Sequence, residues 1–338
     1  MVIQSVLMLF GVFFVMLFAG VPISVGIGIA SIVTALASFD PNPGIGVLSF
    51  IAAQRSFSGI DSFSLLALPF FTLAGNIMNK GGIANRLVRL ARLFVGWIPG
   101  YLAATNVLAN MFFGAISGSS VAATSAMGSI MSPLELEEGY DPNYSAAVNI
   151  CSAPTGIIIP PSGPLILYSI TAGGVSVAAL FMGGYLPGAL LGICVLIVAM
   201  FIAYKKGYKS STVKEDIPAI KIVIDAIPSL LAVILVMAGI LLGWFTATEA
   251  GVVAVLYCGA LGFIYRELTV KNVYELLADT MMSSATILFL ISTSTIMSYV
   301  MTVSGIPGAI SSMIMGVSDN KFVILLIMNV FLLVMGMF

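Results

Sequence analysis

The sequence predicts an all-α integral membrane protein that crosses the bilayer several times. Of its 338 residues, 60% are hydrophobic and only 8% are charged, whereas soluble domains have roughly 25% charged residues. The mean hydropathy is +1.14. A water-soluble fold cannot bury so much apolar surface, so lipid must surround most of the chain. Every backbone group in lipid has to be paired, and the apolar runs do not alternate as barrel strands do, which leaves helices.

The apolar runs are long enough to form membrane helices at about 20 residues per span. The first run lacks a basic start and a small-residue cleavage site, so we interpret it as a membrane helix and not as a signal peptide. The runs cover residues 2–18, 21–39, 65–78, 93–113, 145–159, 165–172, 175–204, 226–245, 249–265, 281–303 and 322–338.

Basic residues between these runs predict the topology. They cluster at residues 80–92, 205–221 (which include Lys214) and 266–271, and the positive-inside rule places all three clusters in the cytoplasm. The chain must therefore cross an even number of times between clusters. The interval from 93 to 204 meets this condition if residues 93–133 form a hairpin that enters the membrane and turns back. Arg86, Arg89 and Arg92 are expected on an interfacial helix that reaches lipid headgroups.

The order of elements in residues 61–114 recurs from residue 272 onward. Each stretch has a polar start, a long apolar helix, a glycine-rich break and a further helix with an asparagine. By the charge pattern the two hairpins enter from opposite sides, which predicts an inverted-topology repeat, as in many secondary transporters. The chain ends at Phe338 inside an apolar run, so we expect the second repeat to be unfinished and the chain to be truncated at its C-terminus.

The first candidate site is a stretch of small and hydroxylated residues. It consists of Ser117, Gly118, Ser119, Ser120 and Thr124. Such residues break a helix, and two helix ends would then meet within the membrane. Amides at a helix start favour an anion, carbonyls at a helix end favour a cation, and hard cations prefer oxygen ligands. The alternative is close helix packing through small residues.

The second candidate site lies in residues 152–164, which contain four prolines and two glycines. No continuous helix accommodates this composition, and unwound backbone in a membrane must be buried in protein or line a cavity. The alternative is a proline-kinked helix that only shapes the fold. The candidate binding residues are Thr155, Gly156, Pro160, Pro161 and Ser162.

Other polar positions have simpler interpretations. Thr246 or Thr248 is expected to cap a helix with Glu249 in its first turn, and the acidic residues 135–141 are expected to form a solvated loop. The chain has no histidine, no paired aspartate motif and no phosphate-binding loop for ATP, which argues against an enzyme and predicts that transport uses an ion gradient. The net charge of −1, without a basic patch, gives no indication of nucleic acid as a partner.

Short motifs throughout the chain resemble those of the large membrane subunit of tripartite ATP-independent periplasmic (TRAP) transporters. These motifs are FSGIDSF (57–63), PFFTLAG (69–75), GGI (81–83), FGAISGSS (113–120), GYD (139–141), IPPS (159–162), LPG (186–188) and TATEA (246–250).

The resemblance implies an elevator-type transporter of the bacterial inner membrane with two re-entrant hairpins. It implies scaffold helices in 1–92, the first hairpin and a broken helix in 93–172, connecting helices in 173–271 with a cytoplasmic loop at 205–221, and part of the second repeat in 272–338. The resemblance implies no cofactor, and sodium, as the coupling ion, would bind near Ser117, Gly118, Ser119 and Gly156.

The implied partners are a small membrane subunit, the lipid bilayer and a periplasmic protein that delivers a C4-dicarboxylate, a sialic acid or a similar carboxylate. Two alternatives remain open at this point. One is a stand-alone ion-coupled anion carrier of a related inverted-repeat class, and the other is a scaffold protein that does not transport.

Overall fold

The computed structural model describes residues 2–39, 44–210, 218–318 and 320–336, without the side chains of Ile116 and Met335. These residues form fifteen α-helices and one short 3-10 turn, and no strand occurs in the described ranges. Part of the predicted cytoplasmic loop, residues 211–217 with Lys214, lies outside the described residues, as does Phe338.

The chain divides into two compact units. One unit comprises Met1–Ser62 and Ala285–Phe338, and the other comprises Phe63–Ser284. This division follows packing and not function, so the four functional segments expected from the sequence remain a prediction.

The first unit contains the N-terminal and C-terminal helices. Leu9, Ala30 and Ile306 form one of its buried clusters. A second cluster contains Ala35, Leu48 and Val300. The helices are α1 (Val2–Phe18), α2 (Ile23–Ser38), α3 (Gly44–Ile60), α14 (Ile306–Val317) and α15 (Lys321–Met335), together with the end of α13 (Val270–Val303).

The second unit holds both candidate sites. Its elements are the 3-10 turn Phe63–Leu66, α4 (Ala67–Lys80), α5 (Ile83–Val95), α6 (Tyr101–Ser117), α7 (Ser120–Glu137), α8 (Pro142–Ile158), α9 (Gly163–Thr171), α10 (Val177–Lys205), α11 (Ala219–Leu241), α12 (Ala247–Ile264) and the start of α13. Helix α6 is central, and it packs against α5, α7, α8 and α10 while α4 packs against α12. Phe113 of α6 and Met127 and Met131 of α7 are among the fully buried side chains of this unit.

Helix lengths and composition confirm the prediction of an all-α polytopic membrane protein. Helices α10, α11, α12 and α13 are long and apolar enough to cross a bilayer, and the number of candidate spans rises from 4 to 6 if each bent pair of helices counts as one. One such pair is α8 and α9, which meet at 50°. Among the described helices, neither α6 nor α7 is one of these spans, and the re-entrant hairpin remains a prediction.

The structure corrects three sequence-based boundaries. The run 93–113 is not one helix, because Gly96, Pro99 and Gly100 separate α5 from α6, and Gly100 adopts a φ of +80° that only glycine tolerates easily. Helix α3 was not predicted, since its apolar residues are diluted by polar ones. Helix α13 begins at Val270, eleven residues before the apolar run, because polar and charged residues also form part of this helix.

Candidate functional site

The turn between α6 and α7 is built by Gly118 and Ser119. Gly118 is the C-cap of α6 with a φ of +62°, and its N–H donates to the carbonyl of Gly114 at 2.9 Å. Ser119 is extended, and its Oγ accepts a hydrogen bond from the N–H of Ala122 at 3.3 Å. A left-handed glycine followed by a serine N-cap ends one helix and starts the next. The break predicted from the sequence is therefore confirmed.

The second break lies between α8 and α9. Helix α8 ends at Ile158, a cis Pro160–Pro161 bond follows, and α9 starts at Gly163. Ser162 caps α9, because its Oγ accepts from the N–H of Leu165 at 3.4 Å and donates to the carbonyl of Ile157. A break in this stretch is confirmed.

This second break is shorter than the proline count suggested. Pro154, Thr155 and Gly156 all lie inside α8. Pro154 removes only one helical hydrogen bond, whereas two adjacent prolines remove two donors and stop the helix. Thr155 and Gly156 therefore do not belong to unwound backbone, contrary to the expectation from the sequence.

The two breaks are in direct contact. A Cβ atom built on Gly118 would lie 3.1 Å from the N atom of Gly163, and one built on Gly163 would lie 3.5 Å from the carbonyl oxygen of Gly118. The starts of α7 and α9 and the ends of α6 and α8 consequently converge. The structure thus brings residues 117–120 together with residues 160–163.

Glycines bring the surrounding helices close to this point. A Cβ atom on Gly114 would lie only 2.7 Å from Cα of Gly156, so α6 and α8 cross with their backbones in contact. A Cβ atom on Gly75 of α4 would lie 2.8 Å from Cβ of Ser117. For Ser117, in the first candidate stretch, the alternative of close helix packing through small residues is therefore directly visible.

The predicted hydroxyl groups mostly donate to nearby carbonyls. Thr124 donates to the carbonyl of Ser120 at 2.8 Å, and Thr155 donates to that of Ser152 at 2.5 Å. Ser117 is buried, and its Oγ lies 3.4 Å from the carbonyl oxygen of Ser119. Each hydroxyl oxygen keeps lone pairs that could coordinate a cation.

Backbone carbonyls at the hairpin turn are also available as ligands. In the described part of the chain, no backbone N–H donates a hydrogen bond to the carbonyl oxygen of Ser117 or Gly118. The last carbonyls of a helix have no partner inside the helix and form its negative end. These neutral oxygen atoms are of the kind that hard cations prefer as ligands.

A buried network of amides was not foreseen. Asn110 Nδ2 donates to Oδ1 of Asn149 at 3.0 Å and to Oγ of Ser152 at 2.9 Å, and Asn149 Nδ2 donates to the carbonyl of Thr124 at 2.9 Å. Asn106 lies four residues before Asn110 and accepts from its Nδ2 at 2.8 Å. The spacing of four on one helical face could have indicated this polar strip inside an apolar helix.

Glu135 corrects the expectation of a solvated acidic loop. Helix α7 continues through Pro133, so Glu135 turns toward α6, where it is 1% exposed and accepts a hydrogen bond from Asn106 Nδ2 at 3.1 Å. Glu137 and Glu138 are exposed as expected.

The predicted cap of α12 is present. Thr246 Oγ1 accepts from the N–H of Glu249 at 3.3 Å, and Glu249 Oε2 accepts from the N–H of Thr246 at 2.8 Å. This reciprocal arrangement is a capping box. Thr248 instead donates to the carbonyl of Phe63 at 3.2 Å, which ties α12 to the start of α4.

Comparison with known proteins assigns the chain to a family. Residues 10–338 match the family model described as the DctM component of tripartite ATP-independent periplasmic transporters. The uncharacterized protein YgiK of Salmonella typhimurium is 47% identical over 99% of this chain and 76% of its own length. The sialic acid TRAP transporter large permease protein SiaM of Vibrio cholerae is 33% identical over 96% of this chain and 74% of its own length.

A further relative is the isethionate TRAP transporter permease protein DctMQ of Oleidesulfovibrio alaskensis. It is 36% identical over 98% of this chain, and the chain spans 51% of its length. The match to the family model extends over nearly the whole chain, and several relatives exceed 30% identity over almost all of it. The chain therefore belongs to the DctM family, and it is a multi-pass membrane subunit of a TRAP transporter and not an enzyme.

Proposed function

We propose that this subunit imports a small organic anion together with sodium, and that both bind where the two helix breaks meet. The contact between Gly118 and Gly163 supports this proposal most directly, because it assembles two helix starts and two helix ends in one place.

The helix starts suit the anion. The first amides of α7 and α9 have few partners within their helices and lie at positive dipole ends. Ser119 and Ser162 each satisfy one of these amides through Oγ. The remaining amides can receive a carboxylate or a sulfonate.

The helix ends suit sodium. The carbonyls of Ser117 and Gly118 and the hydroxyls of Ser117 and Ser119 supply neutral oxygen atoms within a short stretch. Neutral ligands leave the net charge of a bound cation available to attract the anion. Coupling between ion and substrate would follow from this attraction.

An elevator motion is the proposed mechanism. Both breaks belong to the single unit Phe63–Ser284 and rest on one continuous hydrophobic core around α6. Closely packed interiors resist internal deformation, so the site would move with this unit as a rigid body.

The names of the relatives support the proposed substrate class and partners. They include permeases for isethionate, sialic acid and C4-dicarboxylates, all of which are small organic anions. By this proposal a periplasmic binding protein delivers such an anion to a complex of this subunit with a small membrane subunit in the bacterial inner membrane.

Uptake by the complete transporter in proteoliposomes tests the proposal. An inward sodium gradient and the binding protein should both be required for accumulation of an anion from a panel containing isethionate, sialic acid and C4-dicarboxylates. Ser119→Leu should abolish uptake, while Ser129→Leu, at an exposed position on the same helix, should not.

Uptake that continues without sodium, or normal uptake by Ser119→Leu, would refute the site. Sodium-driven uptake without the binding protein would favour the alternative of a stand-alone carrier.

A further inference from the structure

A cavity distant in sequence from both helix breaks lies among α5, α11 and the segment after α12. Its volume is about 210 Å³, smaller than the roughly 300–1,000 Å³ typical of drug-sized ligand sites. Its polar lining residues are Asn85, Arg86, Arg89, Asp225 and Glu267.

The cavity is located at the ends of two candidate membrane spans. Asp225 lies in the second turn of α11, and Glu267 follows three residues after the end of α12. Exposed apolar side chains adjoin these residues in sequence, with Ile224 56% exposed and Ile264 71% exposed. A polar cavity next to exposed apolar residues at the end of a span is placed where lipid headgroups lie.

Two guanidinium groups of α5 line the cavity, and one of them is held in place. The Nη1 atom of Arg86 donates to the carbonyl of Gly82 at 2.9 Å, and its Cζ atom lies 3.5 Å from the centre of the Tyr265 ring. A guanidinium held by a hydrogen bond and an aromatic face loses little further freedom on binding a phosphate. Arg89 is exposed one turn further along α5.

Two carboxylates also line the cavity, those of Asp225 and Glu267, and they do not neutralise the guanidinium groups through ion pairs. Among the described residues, ion pairs within 4.0 Å join Lys80 to Glu275 and Lys206 to Asp141, and none involves Arg89, Asp225 or Glu267. Two guanidinium groups and two carboxylates therefore surround one small space without pairing. A ligand that has both a negative and a positive group would satisfy both the guanidinium groups and the carboxylates.

We propose that this cavity binds the headgroup of a zwitterionic phospholipid with a primary amine, as in phosphatidylethanolamine. The phosphate oxygens would accept from Arg86, Arg89 and Asn85, and the ammonium group would donate to Asp225 and Glu267. Charge-assisted hydrogen bonds of both kinds are strong. The acyl chains would extend along the exposed Ile224 and Ile264.

This assignment discriminates between lipids. Phosphatidylglycerol supplies the phosphate but no cation for the two carboxylates, and phosphatidylcholine has no N–H to donate to them. A free phosphoethanolamine molecule has the same polar groups as the lipid but lacks the acyl chains.

Thermal unfolding of the purified, delipidated subunit in detergent tests the proposal without any transport assay. Phosphatidylethanolamine should raise Tm more than phosphatidylcholine or phosphatidylglycerol does. Arg89→Gln and Asp225→Asn should each require at least about tenfold more lipid for the same shift. Lys271→Gln, an exposed basic position outside the cavity lining, should respond as the unchanged protein does.

Equal shifts with all three lipids, or an unchanged response in both cavity variants, would overturn the assignment. The same would follow if soluble phosphoethanolamine gave the full shift, because the ligand would then be a free zwitterion and not a lipid. Since Arg89 and Asp225 are exposed, their variants are expected to fold normally.

Discussion

Asn106 on α6 donates a hydrogen bond from Nδ2 to Oε1 of Glu135 on α7, and the two atoms are 3.1 Å apart. Both side chains are only 1% exposed. No ion pair joins Glu135 to a basic side chain in the described ranges. An isolated charge is expensive to bury, so the volume and hydrogen bonding of Glu135 should matter more for folding than a negative charge.

Glu135→Gln should consequently be well tolerated, with a free energy of unfolding within about 1 kcal/mol of the unchanged protein. Glu135→Ala should lose about 2–4 kcal/mol, because it leaves a cavity and removes the acceptor of Asn106. Unfolding in detergent measures both. Equal damage by the two substitutions would show that the charge itself is required.

The contact between α6 and α8 predicts the effect of a single methyl group. Gly156→Ala and Gly114→Ala should each destabilise the subunit by about 1–3 kcal/mol, since each adds a Cβ atom where the opposite backbone already lies. The control is Gly183→Ala on α10, where a Cβ atom would meet nothing within 4 Å. That control should be neutral or slightly stabilising, because alanine favours a helix. Unchanged unfolding of both α6–α8 variants would contradict the close crossing.

The serine caps at the two breaks predict a graded series. Ser119→Ala and Ser162→Ala should each cost about 1 kcal/mol, since each leaves an amide of α7 or α9 without its acceptor. Ser162 should be the more sensitive position because it is 1% exposed. Ser119→Thr should retain most of the stability, since threonine is also a good cap. A Ser119→Thr variant as unstable as Ser119→Ala would count against the capping role.

The ion pair between Asp141 and Lys206 predicts a dependence on pH. Lys206 Nζ lies 2.6 Å from Asp141 Oδ2, and this ammonium group, together with the N–H of Asn143, lowers the pKa of Asp141 below its usual value. A depressed pKa stabilises the folded state above the unfolded pKa of about 3.9, and the effect is lost as pH falls through the folded value.

Asp141→Asn should therefore remove part of the loss of stability below about pH 4, while asparagine keeps the helix cap. The difference is measured by thermal unfolding from about pH 3 to about pH 7. This interval brackets the unperturbed aspartate pKa of about 3.9. Glu137→Gln, at an exposed acid near the end of α7, serves as the control. Identical acid profiles for the unchanged protein and Asp141→Asn would show that the pair contributes nothing.

The sequence predicted the features that depend on local chemistry. Gly118 and the Pro160–Pro161 pair break helices whatever surrounds them. Thr246 caps α12 through hydrogen bonds with Glu249, only three residues further along the chain. The apolar runs located most of the helices, because hydrophobicity is also a property of the local sequence. The apolar amino-acid composition alone was sufficient to predict the fold class.

Features that depend on distant residues were not predicted. Glu135 is buried only because α7 packs with that face toward α6, and Gly156 matters because Gly114 lies opposite. The extent of α3 was hidden by its mixed composition. In each case the deciding neighbour lies on another helix or the local pattern is too weak to identify the element.

The packing around Ser117 and Gly118 limits how this hairpin can open. Gly75 of α4 lies against Ser117, Gly163 of α9 lies against Gly118, and Gly156 of α8 lies against the last turns of α6. A segment enclosed on three sides by backbone cannot swing outward unless three helices separate. This turn is therefore fixed relative to the helices around it, and any segment that opens or closes the site must lie in another part of the transporter.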